Sequence, residues 1–102
     1  MNFRRIPLTL AASVIAFSAI TADATCRYNC EDVAKSKWLT QEALTKKLSD
    51  EGWAIRFMKE DGGCWEVYGA TPEGQRVEVY FHPSSGKKLL VSQRGRTLFK
   101  AE

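Results

Sequence analysis

Hydrophobic and polar positions follow two different periods along the chain, first a helical one and then a strand-like one. In the helical part, Leu44 and Leu48 stand one turn apart, so both can face a core. Thr40 is a favourable N-cap residue, and Gly52 suits the left-handed position that follows a helix. The pattern therefore predicts one helix from Gln41 to Glu51.

Apolar residues then recur at every second position, which is typical of half-buried strands. Turn signals separate these segments, namely Asp61-Gly62-Gly63, Pro72 with Gly74, and Pro83–Gly86. The predicted strands are Trp53–Lys59, Cys64–Ala70, Arg76–His82 and a short fourth one, Lys88–Ser92. The pattern leaves open whether Gln93–Glu102 is a loose tail or docks onto the sheet.

These elements predict an α+β fold, with one N-terminal helix packed on a three- to four-stranded antiparallel β-meander. The helix is expected to cover one face, because a small sheet needs such cover to be stable. The residues expected on the covered face are Ile55, Phe57, Trp65, Val67, Val77, Val79 and Phe81. The opposite face mixes charge with aromatic rings and carries Arg56, Glu66, Tyr68, Glu78 and Tyr80.

The mixed face is the first candidate binding surface, because tyrosine and arginine are favoured anchors in protein interfaces. An ordinary solvated sheet face explains the same residues. A further candidate is an exposed strand edge, either Trp53–Lys59 or Lys88–Ser92, which would accept an extended peptide by strand addition. Lysines near these edges also serve to prevent aggregation, so the sequence leaves the three interpretations open.

The first residues have the composition of an export signal. Arg4 and Arg5 precede the apolar run Ile6–Ile20, and Ala22-Asp23-Ala24 offers the small residues that a signal peptidase accepts. The run is shorter than the ~20 residues of a membrane-spanning helix. We therefore expect residues 1–24 to be a signal peptide, and the mature protein to be periplasmic or secreted without stable membrane insertion.

Composition narrows the class of protein further. The chain has 102 residues, which suits one small domain, and 15 Lys+Arg against 12 Asp+Glu. This small, evenly spread excess of basic residues argues against a nucleic-acid partner. After the signal peptide we expect an irregular arm at 25–37, the domain at 38–92 and a C-terminal tail at 93–102.

The candidate chemistry is sparse. An enzyme would need a nucleophile with a base, or paired carboxylates in a cleft. His82 is the single histidine and lies beside Pro83 at a strand end, where a turn-forming role explains it. We predict no catalytic residue, no cofactor and no metal, although Cys26, Cys30, Cys64 and His82 are by type a possible Cys3His zinc set.

Several motifs along the chain resemble those of one known family. The most specific are Gly-Cys-aromatic-Glu-Val-Tyr at Gly63–Tyr68, Gly-x-Arg-Val-Glu-x-Tyr at Gly74–Tyr80, and Pro-x-x-Gly at Pro83–Gly86. These motifs resemble those of a PepSY domain of the small, secreted, single-domain kind. Two earlier segments share the resemblance, KWLTQEAL at Lys37–Leu44 and EGWAI at Glu51–Ile55.

The resemblance implies a helix-on-sheet α+β fold without shared catalytic residues. PepSY domains are similar to segments in the propeptides of thermolysin-type peptidases, and an inhibitory or chaperone-like role toward peptidases has been proposed for them. The function implied is a non-enzymatic exported binding module that regulates or inhibits a peptidase outside the cytoplasm. The alternative is an envelope protein that binds a small ligand or a metal, as a sensor does.

The resemblance also implies a disulfide between Cys30 and Cys64. Relatives often pair a cysteine shortly before the Trp38-like residue with the one in the Gly-Cys-aromatic run. By sequence alone, Cys26–Cys64 and Cys26–Cys30 remain rivals. Two departures from the family pattern are His82, where an aspartate is usual, and the additional Cys26.

Overall fold

The computed structural model describes residues 28–102, so the expected signal peptide at residues 1–24 lies outside the described residues. A short 3-10 turn at Lys35–Lys37 leads to helix α1 (Gln41–Asp50). Five strands follow, namely β1 (Ala54–Asp61), β2 (Cys64–Ala70), β3 (Arg76–Phe81), β4 (Lys88–Gln93) and β5 (Arg96–Lys100). They form one sheet in the order β1-β2-β3-β4-β5, and every neighbouring pair is antiparallel.

The two residues from which the ends of α1 were predicted, Thr40 and Gly52, do terminate the helix in the structure. The Thr40 side chain accepts a hydrogen bond from the Ala43 backbone N–H at 3.0 Å, which satisfies a donor in the first turn. After the helix, Gly52 has a φ of 97°, and the Trp53 N–H returns to the Leu48 carbonyl at 2.9 Å. The predicted helix is confirmed and ends one residue earlier than expected.

The α+β class is confirmed, but the sheet has five strands rather than three or four. The fifth strand comes from the segment whose structure the sequence left open. Gln93 pairs with Arg96 across a two-residue turn, and both turn residues have positive φ, 49° at Arg94 and 84° at Gly95. Such positive values are what a tight type I′ hairpin requires. The helix is also not N-terminal in the chain, because residues 28–40, which include the described part of the arm (28–37), precede it.

The main core lies between α1 and one face of the sheet. Leu44 and Leu48 of the helix pack with the buried strand residues Met58, Val67, Val77, Val79, Phe81 and Val91. One expected core residue was wrong: Phe57 is 55% exposed, whereas Met58 is only 6% exposed.

A β-bulge causes this exchange of faces in β1. Ile55 pairs with Gly69 of β2, but Phe57 pairs with the next residue, Tyr68, so Arg56 is the extra residue of the bulge. One extra residue reverses the alternation of side chains beyond it. Strict alternation therefore holds up to Ile55 and fails after it.

The arm covers part of the other face of the sheet. Tyr28 and Cys30 pack against a second, smaller cluster of buried residues, Cys64, Tyr80 and Leu90. The Cys30 N–H donates to the Gly62 carbonyl at 2.8 Å, which ties the arm to the β1–β2 turn. The sheet is thus covered by α1 on one face and by the arm on part of the other.

Candidate binding face

A disulfide fixes the arm on the sheet face that points away from α1. It joins Cys30 of the arm to the fully buried Cys64 of β2, with 5.3 Å between the two Cα atoms. The bond uses two of the four residues of the possible Cys3His zinc set. Cys26, a third member of that set, lies outside the described residues.

Four of the five residues predicted on the mixed face are cross-strand neighbours. Glu66 of β2 pairs with Tyr80 of β3, and Tyr68 pairs with Glu78. The arm divides this face into two halves. We call the part beneath the arm, with Glu66 and Tyr80, the covered half, and the remainder, with Tyr68 and Glu78, the open half.

The expectation that the whole face is exposed was wrong for the covered half. Glu66 is 0% exposed and Tyr80 is 1% exposed. The Tyr28 ring lies 6.4 Å from the Tyr80 ring, centroid to centroid, and the Tyr80 hydroxyl donates to Asp61 Oδ2 at 2.8 Å. Because both are buried, Glu66 and Tyr80 do not present a surface to a partner, and Tyr80 packs against Tyr28 of the arm.

Glu66 is a buried carboxyl group whose negative charge is only weakly balanced by the groups around it. Its nearest cation is Lys59, with 3.5 Å between Nζ and Oε1. Among the described residues, none gives either carboxylate oxygen a hydrogen bond of good geometry. Burial raises the pKa of Glu66 above its ordinary value. The nearby Tyr80 hydroxyl and Lys59 lower the pKa in part, and the negative charge of Asp61 raises it further.

The raised pKa makes the stability of the fold depend on pH. Because the native state holds the proton more tightly than the unfolded chain, the contribution of Glu66 is fully present below the ordinary pKa of 4.5. It is lost as the pH rises through the pKa of the native state. We expect Glu66→Gln to remove this loss, so that the variant gains stability relative to the wild type as the pH rises toward neutrality.

Urea unfolding of both proteins at a series of pH values measures the effect. Glu73→Gln, which removes the same charge at an exposed turn residue, is the matched control. A constant difference between Glu66→Gln and the wild type across the series would show that the pKa of Glu66 is not raised in the native state, which would contradict the expectation.

The open half forms a groove of about 980 Å³ at the end of the sheet away from the disulfide. Its floor includes a row of cross-strand neighbours, Tyr68, Glu78 and Ser92. Burial, together with the negative charges of Glu66 and Glu78, raises the pKa of Tyr68 to about 12. The Tyr68 phenol therefore stays protonated at physiological pH and can donate a hydrogen bond.

Four arginines line this groove, namely Arg56, Arg76, Arg94 and Arg96. Arg56 was predicted on this face, and the bulge brings it to the rim. Arg76 precedes Glu78 by two residues on β3, so the strand period would have placed it there. Arg94 and Arg96 were missed because the β4–β5 hairpin was not predicted.

His82 has a structural position in the turn after β3. Its Nδ1 accepts hydrogen bonds from the backbone N–H groups of Ser84 and Ser85, at 3.2 Å each. The proton therefore lies on Nε2, which donates to Glu31 Oε1 at 2.9 Å. An aspartate carboxylate would accept the same two backbone bonds, so the histidine can fill the role that the family resemblance assigns to an aspartate here.

The two edges of the sheet are β1 and β5. The expectation that Lys88–Ser92 forms an edge was wrong, because β5 pairs with β4 and makes it an interior strand. The edge at Trp53–Lys59 corresponds to β1 and carries the exposed Phe57. Among residues 28–102, no helix combines the length and apolar character that crossing a membrane requires.

The fold and its faces define a small α+β module whose arm is tied to the sheet by a disulfide. Residues 8–90 match the family model described as the peptidase propeptide and YPEB domain. The match covers most of the chain, so the protein belongs to the PepSY family and is a peptidase-propeptide-like module. No curated protein and no solved structure matches the chain.

Proposed function

We propose that this protein is a non-enzymatic, exported binding module that regulates or inhibits a peptidase outside the cytoplasm. Membership of the PepSY family is the observation that carries the proposal, since the family model that matches is described as a peptidase propeptide and YPEB domain. A propeptide acts by binding its peptidase, so the function needs a recognition surface and no catalytic group.

The open half of the sheet is the surface that we assign to this recognition. It offers Tyr68 and several arginines, which are residue types enriched among interface anchors. Of the five residues predicted for binding, Arg56, Tyr68 and Glu78 line the groove and are accessible, whereas Glu66 and Tyr80 are buried. The β1 edge, with exposed Phe57, borders the same region through the Phe57–Tyr68 pair.

Export is the second part of the proposal. It rests on the basic start, apolar run and small-residue site within residues 1–24, followed by cleavage after Ala24. The disulfide supports it, since such bonds persist in oxidising compartments outside the cytoplasm. In the processed chain, we propose that residues 25–37 form the arm and 38–92 the domain, whose sheet residues 93–102 extend with the fifth strand.

Titration of a secreted thermolysin-type peptidase with the purified protein tests the proposal. We expect hydrolysis of a peptide substrate to slow in proportion to the protein added, until the peptidase is saturated. Tyr68→Ala should weaken inhibition by about tenfold, because truncation of an interface tyrosine removes an anchor. Lys46→Ala on the exposed side of α1 should leave it unchanged. Hydrolysis of the added protein with no slowing and no complex would contradict the proposal.

A further inference from the structure

The groove of the open half has a marked excess of positive charge. Four exposed arginines line it, namely Arg56, Arg76, Arg94 and Arg96, against the single carboxylate of Glu78. None of these four guanidinium groups forms an ion pair with any residue from 28 to 102. Guanidinium groups bind carboxylates in a bidentate geometry, so the groove presents four such positions to a ligand.

The arginines come from separate elements that surround one row of residues. Arg56 lies at the β1 bulge and Arg76 begins β3, whereas Arg94 lies in the β4–β5 turn and Arg96 begins β5. Three strand spacings separate β1 from β4, about 14 Å at ~4.8 Å each. Four or five residues of extended chain span about this distance. The groove therefore has the dimensions of a short extended peptide that crosses the strands.

We propose that the open half binds an acidic, extended peptide segment of a partner protein, with arginines holding its carboxylates and Glu78 accepting from its backbone N–H groups. The inference refines the surface assigned above, and it holds whether or not the partner is a peptidase.

Glu78 distinguishes a peptide from a phosphate-rich ligand. It lies in the floor between Tyr68 and Ser92, where its negative charge opposes a dense array of phosphates. A peptide, in contrast, brings N–H donors along with its carboxylates, so Glu78 gains a partner. The Tyr68 hydroxyl supplies a further hydrogen-bonding group suited to peptide recognition.

The chain itself offers no matching segment before the arm. Residues 1–27 contain one acidic residue, Asp23, against Arg4, Arg5 and Arg27. Glu31 of the arm is already paired with His82. Charge complementarity thus points to an acidic segment on another protein.

Fluorescence anisotropy with a labelled synthetic peptide that alternates glutamate and serine tests the inference. We expect saturable binding that weakens as salt is added, since exposed charges are screened. A peptide of the same length that alternates glutamine and serine should not bind. The double variant Arg76→Gln/Arg94→Gln should bind the acidic peptide at least about tenfold more weakly than the wild type. Each substitution removes hydrogen bonds between a charged guanidinium group and a carboxylate, and the loss of such bonds weakens binding by about this factor.

The control variant, Lys37→Gln/Lys87→Gln, removes two positive charges from outside the groove and should change binding less than about twofold. Equal binding of the glutamine peptide, or equal weakening by both double variants, would overturn the inference. So would arginine-dependent binding to vesicles of anionic lipid, or arginine-dependent self-association, in the absence of peptide binding.

The two proposals fail separately. If the acidic peptide binds with the expected arginine dependence while no peptidase is inhibited, the groove assignment stands and the proposed function fails. If a peptidase is inhibited equally well by Arg76→Gln/Arg94→Gln and the peptide does not bind, the function stands and recognition lies elsewhere.

Discussion

Replacing Cys30 and Cys64 together by serine is expected to lower the free energy of unfolding by about 4 kcal/mol. The bond links residues 34 apart in sequence, and a closed loop of this length removes that much conformational entropy from the unfolded chain. For a domain of this size, the melting temperature should fall by about 15–30 °C. Circular dichroism during thermal and urea unfolding, with the wild type in parallel, measures both quantities.

Loss of the disulfide should also uncover the covered half of the sheet. The arm would keep the Cys30–Gly62 backbone bond but lose its covalent link, so Tyr80 and Glu66 should become accessible more often. Cys26→Ser is the matched control, because it removes a thiol and leaves the Cys30–Cys64 bond intact. Alkylation of Cys64 in the folded wild type without reductant, or an unchanged melting temperature in the double variant, would contradict the expectation.

The sequence predicted α1 because local residues determine both of its ends. Thr40 caps the first turn, and Gly52 takes the left-handed position that few other residues adopt. The strand-turn-strand pattern from β1 to β4 was equally local, since glycine or proline punctuates each turn. The fifth strand was not predictable in this way, because its turn is Arg94-Gly95. Arginine seldom adopts a positive φ, so it is not among the residues from which such a turn is predicted.

The bulge in β1 had a partial signal in the sequence that alternation alone overlooked. Gly69 of β2 faces it, and a Cβ at this position would lie 2.2 Å from the Ala54 carbonyl oxygen. A glycine within a strand often marks a bulge or a close backbone approach. Combining that rule with the pattern would have favoured Met58 over Phe57 in the core.

The candidate site was predictable to the extent that it depends on the two-residue period. That period predicts that Glu66, Tyr68, Glu78 and Tyr80 lie on one face. The register of β2 and β3 makes them cross-strand neighbours there. The division of this face was not predictable, because the arm has no periodicity and its position depends on long-range contacts such as the Cys30–Cys64 bond. The basic character of the groove likewise depends on a hairpin that the sequence did not predict.

Leu44→Ala is expected to have the second large effect on stability, a loss of about 3–5 kcal/mol. Leu44 is completely buried between α1 and the sheet, within the cluster that includes Leu48 and Val79. Removing its side chain takes away buried apolar area and leaves a cavity that the packed strands cannot fill. Urea unfolding should show a lower midpoint with an unchanged slope, because the surface exposed on unfolding stays nearly the same.

Leu98→Ala is the control for the Leu44 variant, because it deletes the same atoms from a leucine of β5 that is 41% exposed. We expect its effect to stay within about 0.5 kcal/mol, as for surface substitutions generally. If the two variants lost equal stability, the helix-covered face would not be the main core.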